Sequence, residues 1–263
     1  MSDLLEKNPW QALRRFTCAR IALGRAGSSL PTEPLLAFTL SHAQARDAVH
    51  HPLDAGALHA ALKAEGFDSI DAHSAAPDRA HYLRRPDLGR RLGDDSRATL
   101  AARAAQQAGK PDVVFVVADG LSAFAASKQA VPLLLALRPR LDGWNVAPVV
   151  VARQARVALG DEIGELLQAR FVAMLIGERP GLSSPDSLGI YLTYGPRVGR
   201  SDAERNCISN VRPEGLSYAA AAHKLHYLLD EGRRLGLTGV GLKDRSDAPP
   251  LEHAAPGSIG KST

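Results

Sequence analysis

The chain has 263 residues, 45% of them hydrophobic and 23% charged, which describes an ordinary soluble globular protein able to bury a full core in one domain, with or without an arm. Its net charge of +4 is carried by dispersed arginines rather than a Lys/Arg run, and aromatics make up only 5%, which argues against nucleic-acid and polybasic membrane binding. No apolar stretch reaches the roughly 20 residues of a bilayer span, the polar Met1–Pro9 lacks signal-peptide character, and the distant Cys18 and Cys207 form neither a disulfide framework nor a CxxC pair, so the expectation is a soluble, cytoplasmic protein.

In chain order, Asn8 can cap a helix that has Pro9 at its first position and Trp10, Leu13 and Phe16 on one face. Such a stripe either packs on its own domain or docks a partner subunit. Residues 17–34 lose periodicity. The spacing of Ser41 and Gln44 predicts a capping box and a helix start, and a second helix runs from near Asp54 to Gly66. Residues 70–95 read as a long polar connection, of the kind that is usually functional or covered by a partner. From Ser96 on, helices and strands alternate. The predicted elements are a helix over Arg97–Ala108, strand Asp112–Ala118, a helix capped by Ser122, strand Val146–Ala152 and a helix capped by Asp161. Strands Phe171–Ile176 and Leu188–Tyr194 follow, then a long loop to Pro213 and a helix from Ser217 to about Leu235. This pattern predicts an α/β protein with a Rossmann-like, doubly wound, mostly parallel sheet and a helical N-terminal arm. The expected division is 1–95 for the arm and partner-docking region, 96–243 for the Rossmann-like domain and 244–263 for a flexible tail.

The segment Phe171–Pro180, FVAMLIGERP, carries the first functional signal. A short apolar run ending on Gly and Pro reads as a buried strand, and open α/β sheets bind ligands where their strands end. Glu178 stands at that end as a candidate ligand contact. Val157, in the loop after the preceding strand, and Cys207, in the loop before Pro213, are expected at the same carboxyl edge. Cys207 alone reads equally as a ligand contact or as a small filler.

Other chemistries find little support. The turn Ala118-Asp119-Gly120-Leu121-Ser122 holds one glycine where a dinucleotide fingerprint needs three, and no P-loop occurs. Asp119–Gly120 is a plain tight turn or a ligand contact, and Ser122 lacks the flanking glycines of a hydrolase elbow. The nine histidines are scattered; His223 and His226 share a helix face without obvious co-ligands.

Six pieces then point in one direction: Thr17–Gly27 (TCARIALGRAG), Arg85–Leu92 (RPDLGRRL), Val116–Ser122 (VVADGLS), Asp161–Gly164 (DEIG), Gly177–Gly181 (GERPG) and Arg205–Asn210 (RNCISN). In this order and at these separations the chain resembles the small (light) subunit of ethanolamine ammonia-lyase, from Asn8 to about Lys243. The resemblance implies adenosylcobalamin as cofactor, bound with its own benzimidazole on cobalt at the interface with a large TIM-barrel subunit in a heterododecamer-type assembly. It implies Val157, Glu178 and Cys207 as cobalamin contacts, with Val157 packing on the corrin, Glu178 accepting hydrogen bonds from cofactor amides and Cys207 filling a tight spot. It implies no catalytic residue and no metal ligand in this chain, which would be active only with the large subunit in converting ethanolamine to acetaldehyde and ammonia. The implied location is the cytoplasm, with the interior of a bacterial microcompartment as the alternative. The rival readings are a stand-alone nucleotide-using α/β enzyme and a non-catalytic scaffold or ligand-binding protein that binds no cobalamin.

Overall fold

In a computed structural model, which describes residues 5–6, 8–17 and 19–247, the chain forms a six-stranded sheet sandwiched between helices. Cys18 and the tail beyond Asp247 lie outside the described residues. The strands are β3 (Ser69–His73), β4 (Val113–Ala118), β5 (Val149–Arg153), β6 (Phe171–Gly177), β7 (Leu188–Tyr194) and β8 (Arg205–Val211), in the spatial order β3-β5-β4-β6-β7-β8. The first four in that order are parallel; β7 runs antiparallel to β6, and β8 antiparallel to β7. A short pair, β1 (Leu5–Glu6) with β2 (Arg25–Ala26), stands apart from this sheet. The predicted α/β, Rossmann-like class holds. The sheet also takes a strand, β3, from the 1–95 region.

Every residue of β4 and β6 is buried, as expected of parallel strands covered on both faces. One face packs against α2 (Ala55–Ala64), α5 (Ala123–Leu137) and α7 (Tyr218–Leu235) through Phe115, Phe171, Leu133 and Leu225. The other meets α4 (Asp94–Ala105) and α6 (Leu159–Leu166) through Val116, Met174, Leu100 and Ile163. Beside β7 and β8, on this second face, Tyr191 is only half-buried and Cys207 is exposed.

Four sequence expectations change. Helix α1 spans Thr32–His50, so Ser41 sits inside it rather than at its cap; only Ala48 of this helix is buried, and a helix with so little core contact leaves a weak periodic signal. The 70–95 connection contains the edge strand β3 and helix α3 (Arg79–Arg84). Asp161 does not cap α6; it lies within it, buried and paired with Arg205. The loop expected before Pro213 is strand β8, so Cys207 is a strand residue, registered opposite Tyr191.

The Asn8, Asp54, Ser122 and Ser217 side chains each accept a backbone N–H at the start of a helix. The first of these helices, Pro9–Phe16, is a 3-10 helix with no buried residue. Its Trp10 and Phe16 are 66% and 72% exposed, and Leu36 and Leu40 of α1 are also uncovered. Beyond the main domain, Lys224 binds Asp244, Ser246 and Asp247, fastening the start of the C-terminal segment onto α7. Among the described residues no helix is long and apolar enough to cross a membrane.

Candidate cofactor cleft

At the carboxyl edge of the parallel strands lies a cleft of about 460 Å³ walled by Val157, Glu178, Tyr191, Ile176 and Leu121. A second cleft of about 390 Å³ adjoins it, sharing Arg156, Val157 and Tyr191 and reaching Arg90 and Ser201. Together they make a trough from the strand ends down the uncovered face of β7. A cavity of about 320 Å³ at the opposite edge of the sheet, under Phe67 and Leu141, holds none of the predicted site residues.

Close backbone contact builds the floor. Gly120 has φ 51°, and a Cβ there would stand 2.3 Å from the Gly177 carbonyl oxygen; a Cβ on Gly177 would stand 2.0 Å from the Ser122 carbonyl oxygen. The single glycine of the β4–α5 turn therefore serves chain-to-chain contact with the end of β6. Asp119, buried, accepts from Gln154 N at 2.8 Å and Ala155 N at 3.0 Å, and so fixes the loop that carries Arg156 and Val157. Burial pushes its carboxyl up, while these amides and Arg79 pull the other way. Gln154 takes φ 55° within this clamp.

Glu178 is held from three sides. The Ser187 and Ser209 hydroxyls donate to its two carboxylate oxygens, and Asn210 N donates at 3.3 Å. Gly189 makes room: a Cβ there would come within 3.0 Å of Glu178 Oε1. A carboxylate offers about four acceptor positions, so three internal donors leave about one for a ligand N–H.

Cys207 lines neither cleft; it stands on β8 opposite Tyr191, which lines both. Burial, with the neighbouring Cys207 adding, pushes the Tyr191 hydroxyl up to about 12. Cys207 keeps surface open to solvent, yet crowding at its sulfur raises the thiol, with Glu178 adding and Tyr191 opposing. A thiol so raised stays protonated near neutrality and is a poor nucleophile. Val157 and Glu178 thus line one cleft, whereas Cys207 sits behind it, opposite Tyr191 in the β7–β8 register.

Sequence reasoning missed Tyr82, Arg156, Tyr191, Ser187 and Ser209. Tyr82 is fully buried with its hydroxyl on the Ala155 carbonyl at 3.1 Å, between the Arg79 and Arg156 guanidiniums. Of these five, Arg156, as the immediate neighbour of Val157, and Ser209, inside the RNCISN piece, had a signal in the chain. Among the described residues no three His, Cys, Asp or Glu side chains gather as a metal-ligand set.

The sequence profile of the family described as ethanolamine ammonia-lyase light chain (EutC) matches residues 7–243. The chain belongs to the ethanolamine ammonia-lyase light-chain family. Proteins named ethanolamine ammonia-lyase small subunit are similar along almost their whole length. That of Ralstonia nicotianae is 60% identical over 248 residues, covering 94% of this chain and 92% of the relative. That of Azotobacter vinelandii is 58% identical over 253 residues (95% and 94%), and that of Pseudomonas aeruginosa strain UCBPP-PA14 is 55% identical over 258 (97% and 94%). The light-chain match ends at residue 243, four residues before the described C-terminal segment ends on Asp247.

Proposed function

We propose that this chain is the small subunit of an adenosylcobalamin-dependent ethanolamine ammonia-lyase, holding one side of the cofactor against a large subunit that binds ethanolamine. The observation that carries the reading is the joint placement of Val157 and Glu178 on one cleft wall, with Cys207 behind it, opposite Tyr191, in a member of the light-chain family. The residues suit a corrin. Val157, Tyr191, Ile176 and Leu121 offer an apolar shelf, and Glu178 keeps an acceptor position for a neutral amide. Open on one side, the trough covers part of a large ligand and leaves the remainder to another subunit.

Adenosylcobalamin, when bound, supplies a deoxyadenosyl radical through homolysis of its cobalt–carbon bond. This chain binds and orients: Glu178 fixes an amide-bearing edge, Val157 excludes water from the apolar shelf, and the protonated Cys207 fills space beside Tyr191. It contributes no group that moves a proton of ethanolamine. The enzyme belongs in the cytoplasm, or within a bacterial microcompartment where a host makes one.

Acetaldehyde formation from ethanolamine, with adenosylcobalamin added, tests the reading. Activity should require both this chain and the co-expressed large subunit; a normal complex with neither activity nor corrin absorbance would leave a scaffold instead. Within that complex, Glu178→Gln should weaken cobalamin binding by about 1–3 kcal/mol, the range for spoiling a charged hydrogen bond. An unchanged dissociation constant in a spectrophotometric titration would remove Glu178 from the site.

The exposed Trp10, Leu13 and Phe16 stripe is assigned to the large subunit. Deleting residues 1–16 should cut co-elution of the two subunits while leaving the far-ultraviolet circular dichroism of the sheet intact. Full co-elution would return the stripe to a passive surface role.

A further inference from the structure

Three arginines at the trough have charge with no carboxylate to meet it. Arg156 lines both clefts, Arg90 stands at the mouth of one and Arg179 at the mouth of the other. None of the three forms an ion pair among the described residues. The remaining charges at the trough have partners of their own, neutral ones in the case of Glu178. Arg205 is bound by Asp161 and Asp202, Arg200 by Glu204, and Glu178 is held by Ser187 and Ser209.

Arg156 is also pre-aimed. Its guanidinium stacks on the Tyr82 ring at 4.2 Å and gives one N–H to the Tyr82 carbonyl at 3.3 Å, while its own backbone N–H is held by Gly89 O at 2.8 Å. Gly89 is needed there, since a Cβ would press to 2.9 Å from Arg156 Cγ. With plane and backbone fixed, the Nε of Arg156 is buried and without a hydrogen-bond partner. A buried charged donor left unmatched is costly, and a guanidinium edge fits a phosphate oxygen pair. Beside Arg156 and Arg90 an anion is favoured over a cation such as ethanolamine near neutral pH.

We infer that Arg156, with Arg90 at the rim, forms an anion subsite that takes the phosphodiester of the cobalamin nucleotide loop. The inference rests on the proposed cofactor reading and deepens it. A corrin carries neutral amides around its edge, and the phosphodiester is the anionic group of the nucleotide loop. Side-chain guanidiniums thereby do what a glycine-rich backbone cradle does in nucleotide folds, which accounts for a phosphate-bearing ligand beside a turn with one glycine.

The test is titration of the complete two-subunit complex with cyanocobalamin, followed by absorbance, at low and high potassium chloride. The wild-type complex should bind more weakly as salt rises, because screening weakens a contact between partly exposed charges. Arg156→Gln should bind about tenfold more weakly at low salt and lose part of that salt dependence, and Arg156→Lys should recover part of both. Arg90→Gln, at an exposed position that cannot disturb the fold, should show a several-fold loss with the same flattened salt response. An Arg156→Gln loss that is equal at every salt concentration and not rescued by lysine would reduce Arg156 to a packing residue and overturn the inference. Unchanged affinity in both glutamine variants would overturn it too, leaving the cofactor reading intact. A wild-type complex that binds no cyanocobalamin would overturn the cofactor reading itself, and the subsite with it.

Discussion

Replacing Arg205 by Met should lower the stability of this chain by about 3–5 kcal/mol, the range for removing one partner of a buried ion pair. Arg205 in β8 meets Asp161 in α6 through two parallel bonds, Nη1 to Oδ1 at 2.6 Å and Nη2 to Oδ2 at 2.7 Å, and both side chains are 2% exposed. The same guanidinium donates to Thr193 Oγ1 at 2.9 Å and the Arg200 carbonyl at 3.0 Å, so one side chain ties α6, β7 and the 195–204 loop together. Methionine fills similar volume but leaves a buried carboxylate with no cation. Denaturant unfolding would measure the loss, and the double variant Arg205→Met with Asp161→Leu should regain a large part of it, because an apolar pair needs no partner. A double variant no better than the single one would place the cost in the Thr193 and Arg200 contacts instead.

The same pair predicts a pH signature. Burial already pushes the Asp161 carboxyl up, with Arg205 pulling it down. Without Arg205 the folded-state value rises further above that of the unfolded chain. A carboxyl raised in the folded state holds its proton there more tightly, so folding is favoured in acid and disfavoured as pH climbs. The deficit of Arg205→Met relative to wild type should therefore be smallest below the unfolded value of about 4 and grow as pH rises through the raised folded value. A deficit independent of pH would show that the Asp161 charge is not its source.

What could be read from the chain follows the apolar pattern. The strands β4 and β6 are continuous apolar runs, β7 is apolar but for Thr193, and their limits fall within a residue of expectation. Strand β8 was hidden because RNCISNV carries only Ile208 and Val211 on its core face, with a pairing irregularity against β7 and Asn210 at φ 61° breaking the alternation. Edge strand β3 was hidden by Asp71, which points to no core but to Arg153 at 2.7 Å. At the site, strand ends alone located Val157 and Glu178. Tyr82 and Ser187 come from separate stretches and join the site only through the fold, so no local spacing announces them. The Asp161 cap failed for a related reason: an acidic residue in the first turn of a helix looks the same in sequence whether it faces the helix end or, as here, a cation 44 residues further on.

Gly177→Ala should be nearly as damaging, at roughly 3 kcal/mol or slightly more, because its methyl has nowhere to go. The new Cβ would fall 2.0 Å from the Ser122 carbonyl oxygen and 2.5 Å from that of Asp119, both backbone atoms that no rotamer change can move. Relief requires the end of β6 to part from the β4–α5 turn, which stretches the 2.9 Å bond from Leu121 N to Gly177 O. Gly109→Ala is the matched control, since a Cβ there meets nothing within 4 Å, and it should leave stability almost unchanged. The consequence reaches the cleft, since Glu178 is the next residue and its backbone N–H is held by Ser187 O at 3.0 Å. Any displacement that accommodates the methyl moves the carboxylate away from the Ser187 and Ser209 hydroxyls. On the proposed cofactor reading, Gly177→Ala should therefore lose cobalamin affinity along with stability, whereas Arg205→Met, acting through α6 and β8, should lose stability first. Equal unfolding midpoints for Gly177→Ala and Gly109→Ala would mean that the two backbones part without cost, and that the cleft floor is softer than its contacts imply.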